Sequence, residues 1–173
     1  MKINKIRYLG IALISFLVAA CGGGGGGDSS TGGGSADVIF IGTQTVTFSS
    51  PGVPPSTSTF GITITISGNT VTVTDGDIVG SAPLSADGMN FTVPVDTSFS
   101  EDGITCTGEA IYTGAIAGDT ASGTIAGSSP CSSQGLSVTI TARGNFSASS
   151  APARAPLNSA TFKDQILSTL KGS

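Results

Sequence analysis

Cysteines and carboxylates are the side chains of this 173-residue chain that could do chemistry, because the sequence contains no histidine. Histidine is the usual general base of a catalytic triad and the commonest metal ligand. Asp75-Gly76-Asp77 offers two carboxylates, but a calcium loop needs more oxygen ligands at set spacings, so we interpret this segment as a turn. Glu101-Asp102-Gly103 is interpreted in the same way.

Paired carboxylates for glycoside hydrolysis would need a cleft and a surface on which sugars stack. The chain has no tryptophan, and Tyr112 is its only tyrosine beyond the first 20 residues. We therefore predict no catalytic residues, no metal ligands and no cofactor, and we do not expect an enzyme.

Cys106 and Cys131 are predicted to face each other across a hairpin. A two-residue turn at Gly118-Asp119 places Tyr112 opposite Ile125 and, further from the turn, Cys106 opposite Cys131. Along an antiparallel hairpin, hydrogen-bonded and non-hydrogen-bonded residue pairs alternate. Counting outwards from the turn makes Cys106 and Cys131 a non-hydrogen-bonded pair, with Cα atoms about 4.5 Å apart. That separation is at the short end of what a disulfide accepts. Two buried free thiols are the alternative, and a metal site would lack a third ligand nearby.

The third cysteine, Cys21, follows a segment that has the parts of a secretory signal peptide in the right order. Three basic residues come first, at Lys2, Lys5 and Arg7, and the apolar run 9–20 follows them. A membrane-spanning helix needs about 20 apolar residues, so this run is too short to be one. It fits the apolar core of a signal peptide instead.

Val18-Ala19-Ala20-Cys21 resembles the lipobox of bacterial lipoproteins. The resemblance covers residues 1–21 and implies that residues 1–20 are removed and that Cys21 is the lipid-attachment site. It also implies an outer-membrane location, because Gly22 stands where enteric lipoproteins retained in the inner membrane usually have aspartate. The alternative is an ordinary signal peptide cut after Ala20, which would leave an exposed thiol in an oxidising compartment.

Residues 21–36, the lipidated cysteine and the glycine- and serine-rich segment after it, are predicted to tether a folded domain to the membrane. Such a segment is a flexible coil with almost no side chains to bury. Its r.m.s. span is roughly 20 Å. A phosphate-binding glycine loop would need a strand before it and a helix after it, so we set that interpretation aside.

Residues 37–149 are predicted to form an all-β domain. The segment 62–75, ITITISGNTVTVTD, alternates strictly on both sides of Gly68-Asn69, which is a hairpin signal. A further turn at Asp75-Gly76 sets Val73 opposite Ile78. About eight antiparallel strands are expected, at 38–48, 57–67, 70–75, 77–85, 89–99, 104–117, 120–130 and 136–148. All connections but the first are short, so this up-and-down meander is predicted to close as a small barrel.

Two other architectures can bury the same apolar face. A β-sandwich is the alternative to the barrel. A transmembrane barrel would need lipid-facing apolar bands and aromatic girdles, whereas the second face of these strands is threonine and serine.

A C-terminal amphipathic helix is predicted over residues 158–172, after a linker at 150–157. Asn158 or Ser159 would cap its start. Its apolar stripe consists of Phe162, Ile166 and Leu170. We expect the stripe to dock on the barrel, where small residues of the last two hairpins leave room at Gly108, Ala110, Gly114, Gly123 and Gly127. The alternative is a helix offered to a membrane or to a partner.

Two classes of function remain for a chain with a formal net charge of −4. No basic stripe is present, so nucleic acid is not expected as a partner. The first class is a structural or interaction lipoprotein that acts through its threonine-rich outer face and a free edge at the first strand. The second is a lipocalin-like carrier of an apolar small molecule, an analogy that rests on architecture.

These classes imply the partners and the test that separates them. The expected partners are the membrane, through the lipid anchor, and either an envelope protein or an apolar ligand. The domain would stand on the outer membrane, on its periplasmic or its surface side. A carrier would need a cavity of about 300 Å³ or more.

Overall fold

The computed structural model describes residues 37–76, 78–150 and 161–171. Its elements, in chain order, are β1 (Val38–Ser50), β2 (Val53–Ser67), β3 (Thr70–Asp75), β4 (Ile78–Pro83), β5 (Asn90–Asp96), β6 (Phe99–Glu101), β7 (Ile104–Cys106), β8 (Glu109–Ala117), β9 (Thr120–Ser133), β10 (Leu136–Ser150) and α1 (Phe162–Lys171). The predicted signal peptide, the tether and residues 151–157 of the linker lie outside the described residues. In the described part of the chain, no helix is long and apolar enough to cross a membrane.

The strands form one curled antiparallel sheet. β1 pairs with β2 on one side and with β10 on the other. From β2 the sheet continues through β3 and β4, and from β10 it continues through β9 and β8 to β5. The two ends meet at a bridge between Leu84 and Phe91. The predicted meander and its curling into a small barrel are therefore confirmed, whereas the free edge expected at the first strand is wrong because β1 is paired on both sides.

Ten strands replace the expected eight because two of the predicted strands are interrupted. The predicted strand at 89–99 becomes β5 and β6, and the one at 104–117 becomes β7 and β8. The Thr97 N–H donates to the Gly108 carbonyl at 3.0 Å across the interruption. β5 pairs with β8 and β6 pairs with β7 in one continuous hairpin. The first connection is a tight turn, contrary to expectation, because β2 begins directly after Gly52, which has a φ of 80°.

The hairpin registers follow the alternation of apolar residues, with one correction. Ile64 pairs with Val73 and Ile66 with Val71, as predicted. In the next hairpin, however, Val73 faces Gly80 and not Ile78, which pairs with Asp75. The register thus slips by two positions. A slip of two preserves which face of a strand points inwards, so the predicted inner face survives the error.

The space that glycine leaves on β8 and β9 is filled by phenylalanine rings. A Cβ added at Gly114 or at Gly123 would lie 2.7 Å from the Phe146 ring. The Phe91 ring lies beside it, with the two centroids 6.1 Å apart. The barrel interior is therefore occupied here by strand side chains. The expectation that the helix would dock against these glycines is wrong.

α1 lies in the wall of the barrel, between β2 and β6. Within β2, only Thr63–Ser67 pair with β3. Among the described residues, the first half of β2 therefore has no strand on that side. There the Ser58 hydroxyl donates to Gln165 Oε1 at 2.5 Å. On the other side of the helix, Lys163 Nζ lies 2.6 Å from Glu101 of β6. The helix thereby covers strand edges that could otherwise pair with another chain.

The cap of α1 is Thr161 rather than Asn158 or Ser159. The Thr161 N–H donates to Asp164 Oδ2 at 2.9 Å, and the Asp164 N–H donates to Thr161 Oγ1 at 3.3 Å. This reciprocal pair is a capping box, which satisfies the N–H of the cap residue and one N–H of the first turn. The helix therefore begins at Phe162, and the predicted residues 158–160 lie outside the described residues.

Candidate functional site

The two cysteines of the domain lie where the counted register places them. Cys106 of β7 pairs directly with Cys131 of β9. Their sulfurs are 2.10 Å apart and their Cα atoms 4.0 Å apart. Both residues are buried. This disulfide joins neighbouring strands at one end of the barrel, and the third cysteine, Cys21, lies outside the described residues.

The three stripe residues of the helix face the barrel core. Phe162 and Ile166 are each 1% exposed, and Leu170 is partly buried against the same core. The Phe162 ring packs edge-on against Phe48, with centroids 5.0 Å apart, and lies 6.3 Å from the Phe60 centroid. Edge-to-face rings at this distance attract each other beyond their buried area. The helix is thus a component of the core.

A half-open apolar cavity of about 320 Å³ lies at the disulfide end of the barrel. Leu170 at the end of α1 contributes one wall, and the Cys131 side of β9 contributes another. The other apolar walls come from Val53, Ile104, Leu136 and Val138. Leu136 stands at the rim and is 78% exposed. The lining contains hydroxyl and amide groups but no charged side chain, so the cavity suits an uncharged apolar group.

The cavity and residue 37 lie at opposite ends of β1. Ser50, at the end of this 13-residue strand, lines the cavity. A strand rises about 3.3 Å per residue, so the path along this strand is about 40 Å long. Ser150 pairs with Phe40, so β10 also ends near residue 37. The cavity therefore lies away from both places where the chain enters and leaves the sheet.

A second candidate site is a chain of polar side chains inside the barrel. The Tyr112 hydroxyl donates to Gln44 Oε1 at 3.0 Å. The Gln44 amide and the Phe162 N–H of α1 both lie beside the Asp75 carboxylate. All three side chains are buried, Asp75 with 1% of its surface exposed. No described residue makes a hydrogen bond of normal geometry with either Asp75 oxygen or with Gln44 Nε2.

Burial changes the acidity of both titratable groups in this polar chain. It raises the pKa of the Asp75 carboxyl from 3.8 to about 7, although the neighbouring Gln44 amide and Phe162 N–H act in the opposite direction. The negative charge of Asp164 adds to the increase. Burial likewise raises the pKa of the Tyr112 hydroxyl, and nearby Asp75 raises it further. Tyr112 is therefore neutral at ordinary pH, whereas Asp75 changes charge near pH 7.

Asp75 and Gln44 were missed as inward-facing residues, although the alternation in sequence contains the signal. Asp75 continues the series Val71, Val73 on the inner face of β3, and the structure places it inside at the end of that strand. Gln44 likewise takes an inner position on β1. From the sequence alone Asp75 is placed in a turn, because aspartate before glycine is a common turn signal. In fact the strand ends there with its last side chain still inside.

Neither site contains the components of a known catalytic arrangement. In the part of the chain that the structure describes, no three histidine, cysteine, aspartate or glutamate side chains are grouped to hold a metal ion. Glu109 faces Ser128 on the outer surface and is exposed. The arrangement can hold an apolar group at the barrel end and can gain or lose a proton at Asp75. Comparison with protein-family models, with curated proteins and with solved structures finds no match for this chain.

Proposed function

We propose that this chain is a membrane-anchored envelope lipoprotein whose β domain is a structural or interaction module without catalytic activity. The observation that carries the module role is the filled interior of the barrel, where rings such as Phe146 occupy the space over Gly114 and Gly123. A barrel filled by its own side chains meets other molecules at its outer surface. The basic, apolar and lipobox segments of residues 1–21 support the anchor at Cys21.

The apolar cavity is the proposed contact surface. It lies about 40 Å along β1 from residue 37, at the end of the strand opposite to the one that follows the predicted tether. Its uncharged lining fits an apolar side chain of a second envelope protein. Leu136 at its rim would supply the first contact.

The anchor is tested with Cys21→Ser. The unaltered protein is expected in the outer-membrane fraction with the mass of attached acyl chains, whereas Cys21→Ser is expected without that mass and free of the membrane. Gly22→Asp is the matched variant for sorting, and should retain the acyl mass but shift the protein to the inner membrane. Acylation of Cys21→Ser would refute the anchor.

The contact surface is tested by placing a photo-crosslinking residue at Leu136 in the anchored protein. Thr113, exposed on the outer face of β8, is the control position. A single envelope protein should be linked at Leu136 and not at Thr113, and Val138→Asp should abolish the link by placing a charge in the cavity wall. Equal linking at both positions, or a link that survives Val138→Asp, would contradict the proposal.

A lipocalin-like carrier is the second candidate, and the cavity volume is the observation that favours it. About 320 Å³ is at the low end of the range of ligand sites, roughly 300–1,000 Å³. Native mass spectrometry of the protein purified from its own envelope separates the two functions. A small apolar molecule retained by the unaltered protein, but not by Val138→Asp, would favour the carrier over the interaction module.

A further inference from the structure

The Asp75 carboxylate lies beneath the first turn of α1. Asp75 ends β3, and its neighbour Gly76 packs against Thr161, the cap of the helix, so closely that a Cβ at Gly76 would come 3.0 Å from the Thr161 Cβ. The Phe162 N–H, the first of the helix, lies beside the carboxylate. The start of the helix therefore helps to cover this group, which is 1% exposed.

A charge at this position lacks full compensation. The positive end of the helix dipole and the Gln44 amide lie near it, but neither carboxylate oxygen has a hydrogen bond of normal geometry to a described residue. A buried ion without such partners is costly, whereas the protonated carboxyl carries no charge to desolvate. The ionised form is stabilised if the covering element opens and admits water.

The element most easily opened is α1. It spans 10 residues, and an isolated helix of that length is marginal in water, so it is helical because it is docked. The barrel strands beside Asp75 are each held by ladder hydrogen bonds to neighbouring strands. Opening of the helix alone exposes Asp75 without breaking the sheet.

We propose that protonation of Asp75 controls the docking of α1, so that the helix is held most firmly when this carboxyl is neutral. Ionisation of Asp75 loosens the helix and, with it, the Leu170 wall of the apolar cavity. The end of the barrel that presents this cavity is thereby sensitive to pH.

The charged and titratable groups around Asp75 oppose its ionisation or are directed elsewhere. Asp164 in the first turn of α1 repels a charge on Asp75. Tyr112 faces it from β8 as a neutral phenol, and Gln44 on β1 is uncharged. Lys163 of α1 pairs with Glu101 on β6. The pH response is therefore assigned to Asp75 itself.

The sign of the response follows from the raised pKa of Asp75. With the helix docked the pKa of the carboxyl is about 7, and with the helix open it returns towards the ordinary value of 3.8. Between these values the docked form holds more protons, so the docking equilibrium constant falls as pH rises, by at most about tenfold per pH unit. Above about pH 8 it no longer changes.

Amide hydrogen exchange of the helix, corrected for the intrinsic rate at each pH, tests this inference between pH 5 and 9. Protection of the amides at 166–170 should fall between pH 5 and 7.5 in the unaltered domain, while central barrel amides keep theirs. Asp75→Asn should remove the dependence and give higher helix protection at pH 8. Asp119→Asn, in an exposed turn, is the matched control and should behave like the unaltered protein.

Two results would overturn the inference. One is the same pH profile for the helix amides in Asp75→Asn as in the unaltered protein. The other, which needs no variant, is a carboxyl-carbon NMR titration of Asp75 in the unaltered protein with a midpoint near pH 4. A midpoint near 7, together with helix opening that follows it, supports the inference even if Asp75→Asn does not fold.

Discussion

Glycine in this barrel serves close packing more than turn formation at two positions that face each other. Gly114 and Gly123 pair across β8 and β9, and the Phe146 ring covers both. A bare backbone under an aromatic ring allows a narrow barrel to hold large side chains at normal interior density. A single substitution at either glycine should therefore change the free energy of unfolding, because one added methyl group is enough to displace the Phe146 ring.

We predict that Gly123→Ala destabilises the domain by about 1–3 kcal/mol or more, the usual cost of overpacking. Its Cβ would lie 2.6 Å from the Gly114 backbone and 2.7 Å from the Phe146 ring. Gly127→Ala is the matched control on the same strand, where the nearest atoms are 3.2 Å away. Urea unfolding measures both. Equal losses in the two variants would show that the clash at Gly123 is relieved without cost.

The disulfide gives a second prediction at the residue scale. Replacing both cysteines, Cys106→Ala with Cys131→Ala, should cost up to about 3.5 kcal/mol, since the cross-link restrains the unfolded chain. The native hairpin already brings the two residues together, so the sheet should keep its register. Unfolding with and without reductant checks this. Reductant should lower the stability of the unaltered protein and leave that of the double variant unchanged.

At the scale of elements, the helix compensates for a short hairpin. β3 and β4 cover only part of the length of β2, and α1 occupies the place of the missing strand wall. The seam between β4 and β5 is also short of backbone pairing. Pro83 and Pro94 lie on these strands, and proline has no N–H to donate to a ladder. The unpaired edge of β2 is thus covered by α1, whereas β4 and β5 pack side by side with little backbone pairing.

Phe162→Ala should release the helix from the barrel. Truncation of a buried phenylalanine usually lowers the free energy of unfolding by about 3–5 kcal/mol. If the helix undocks instead, the loss cannot exceed the free energy with which the helix was docked. Hydrogen exchange should show lost protection at 166–170 while the strands remain protected. Ser168→Ala, on the exposed face of the same helix, should change neither. Retained helix protection in Phe162→Ala would mean that Ile166 and Leu170 suffice to dock it.

Sequence patterning predicted the strands, most hairpin registers and the apolar stripe of the helix, because each depends on local periodicity. The Asp75–Ile78 pairing was missed because an aspartate before glycine favours a turn, and this turn signal outweighed the alternation that places Asp75 on the inner face. The seat of the helix could not be found from sequence. It depends on the unequal lengths of β2 and β3, and the glycine gap that suggested another seat is filled by Phe146.

At the scale of the whole molecule, the barrel has two unlike ends. The end with Val38 and Ser150 is where the chain enters and leaves the sheet. The other end carries the disulfide, the apolar cavity and the last turn of α1. Residue 37, where the described chain begins, and the proposed contact surface therefore lie at opposite ends of β1. The pH response inferred for Asp75 arises midway, at the start of the helix that extends to the cavity.

This polarity predicts the orientation of the anchored domain on a membrane. A fluorophore attached at Asn69→Cys, in the turn near Val38, should be quenched by nitroxide headgroups more than one at Ser137→Cys, near the cavity. The reason is that a flexible tether of roughly 20 Å r.m.s. span keeps one barrel end close and leaves the other about 40 Å further along β1. The measurement uses acylated protein in vesicles. The same labels on a Cys21→Ser background serve as the control and should escape quenching. Equal or reversed quenching of the two anchored labels would show that the domain lies flat or inverted, with its cavity turned towards the bilayer.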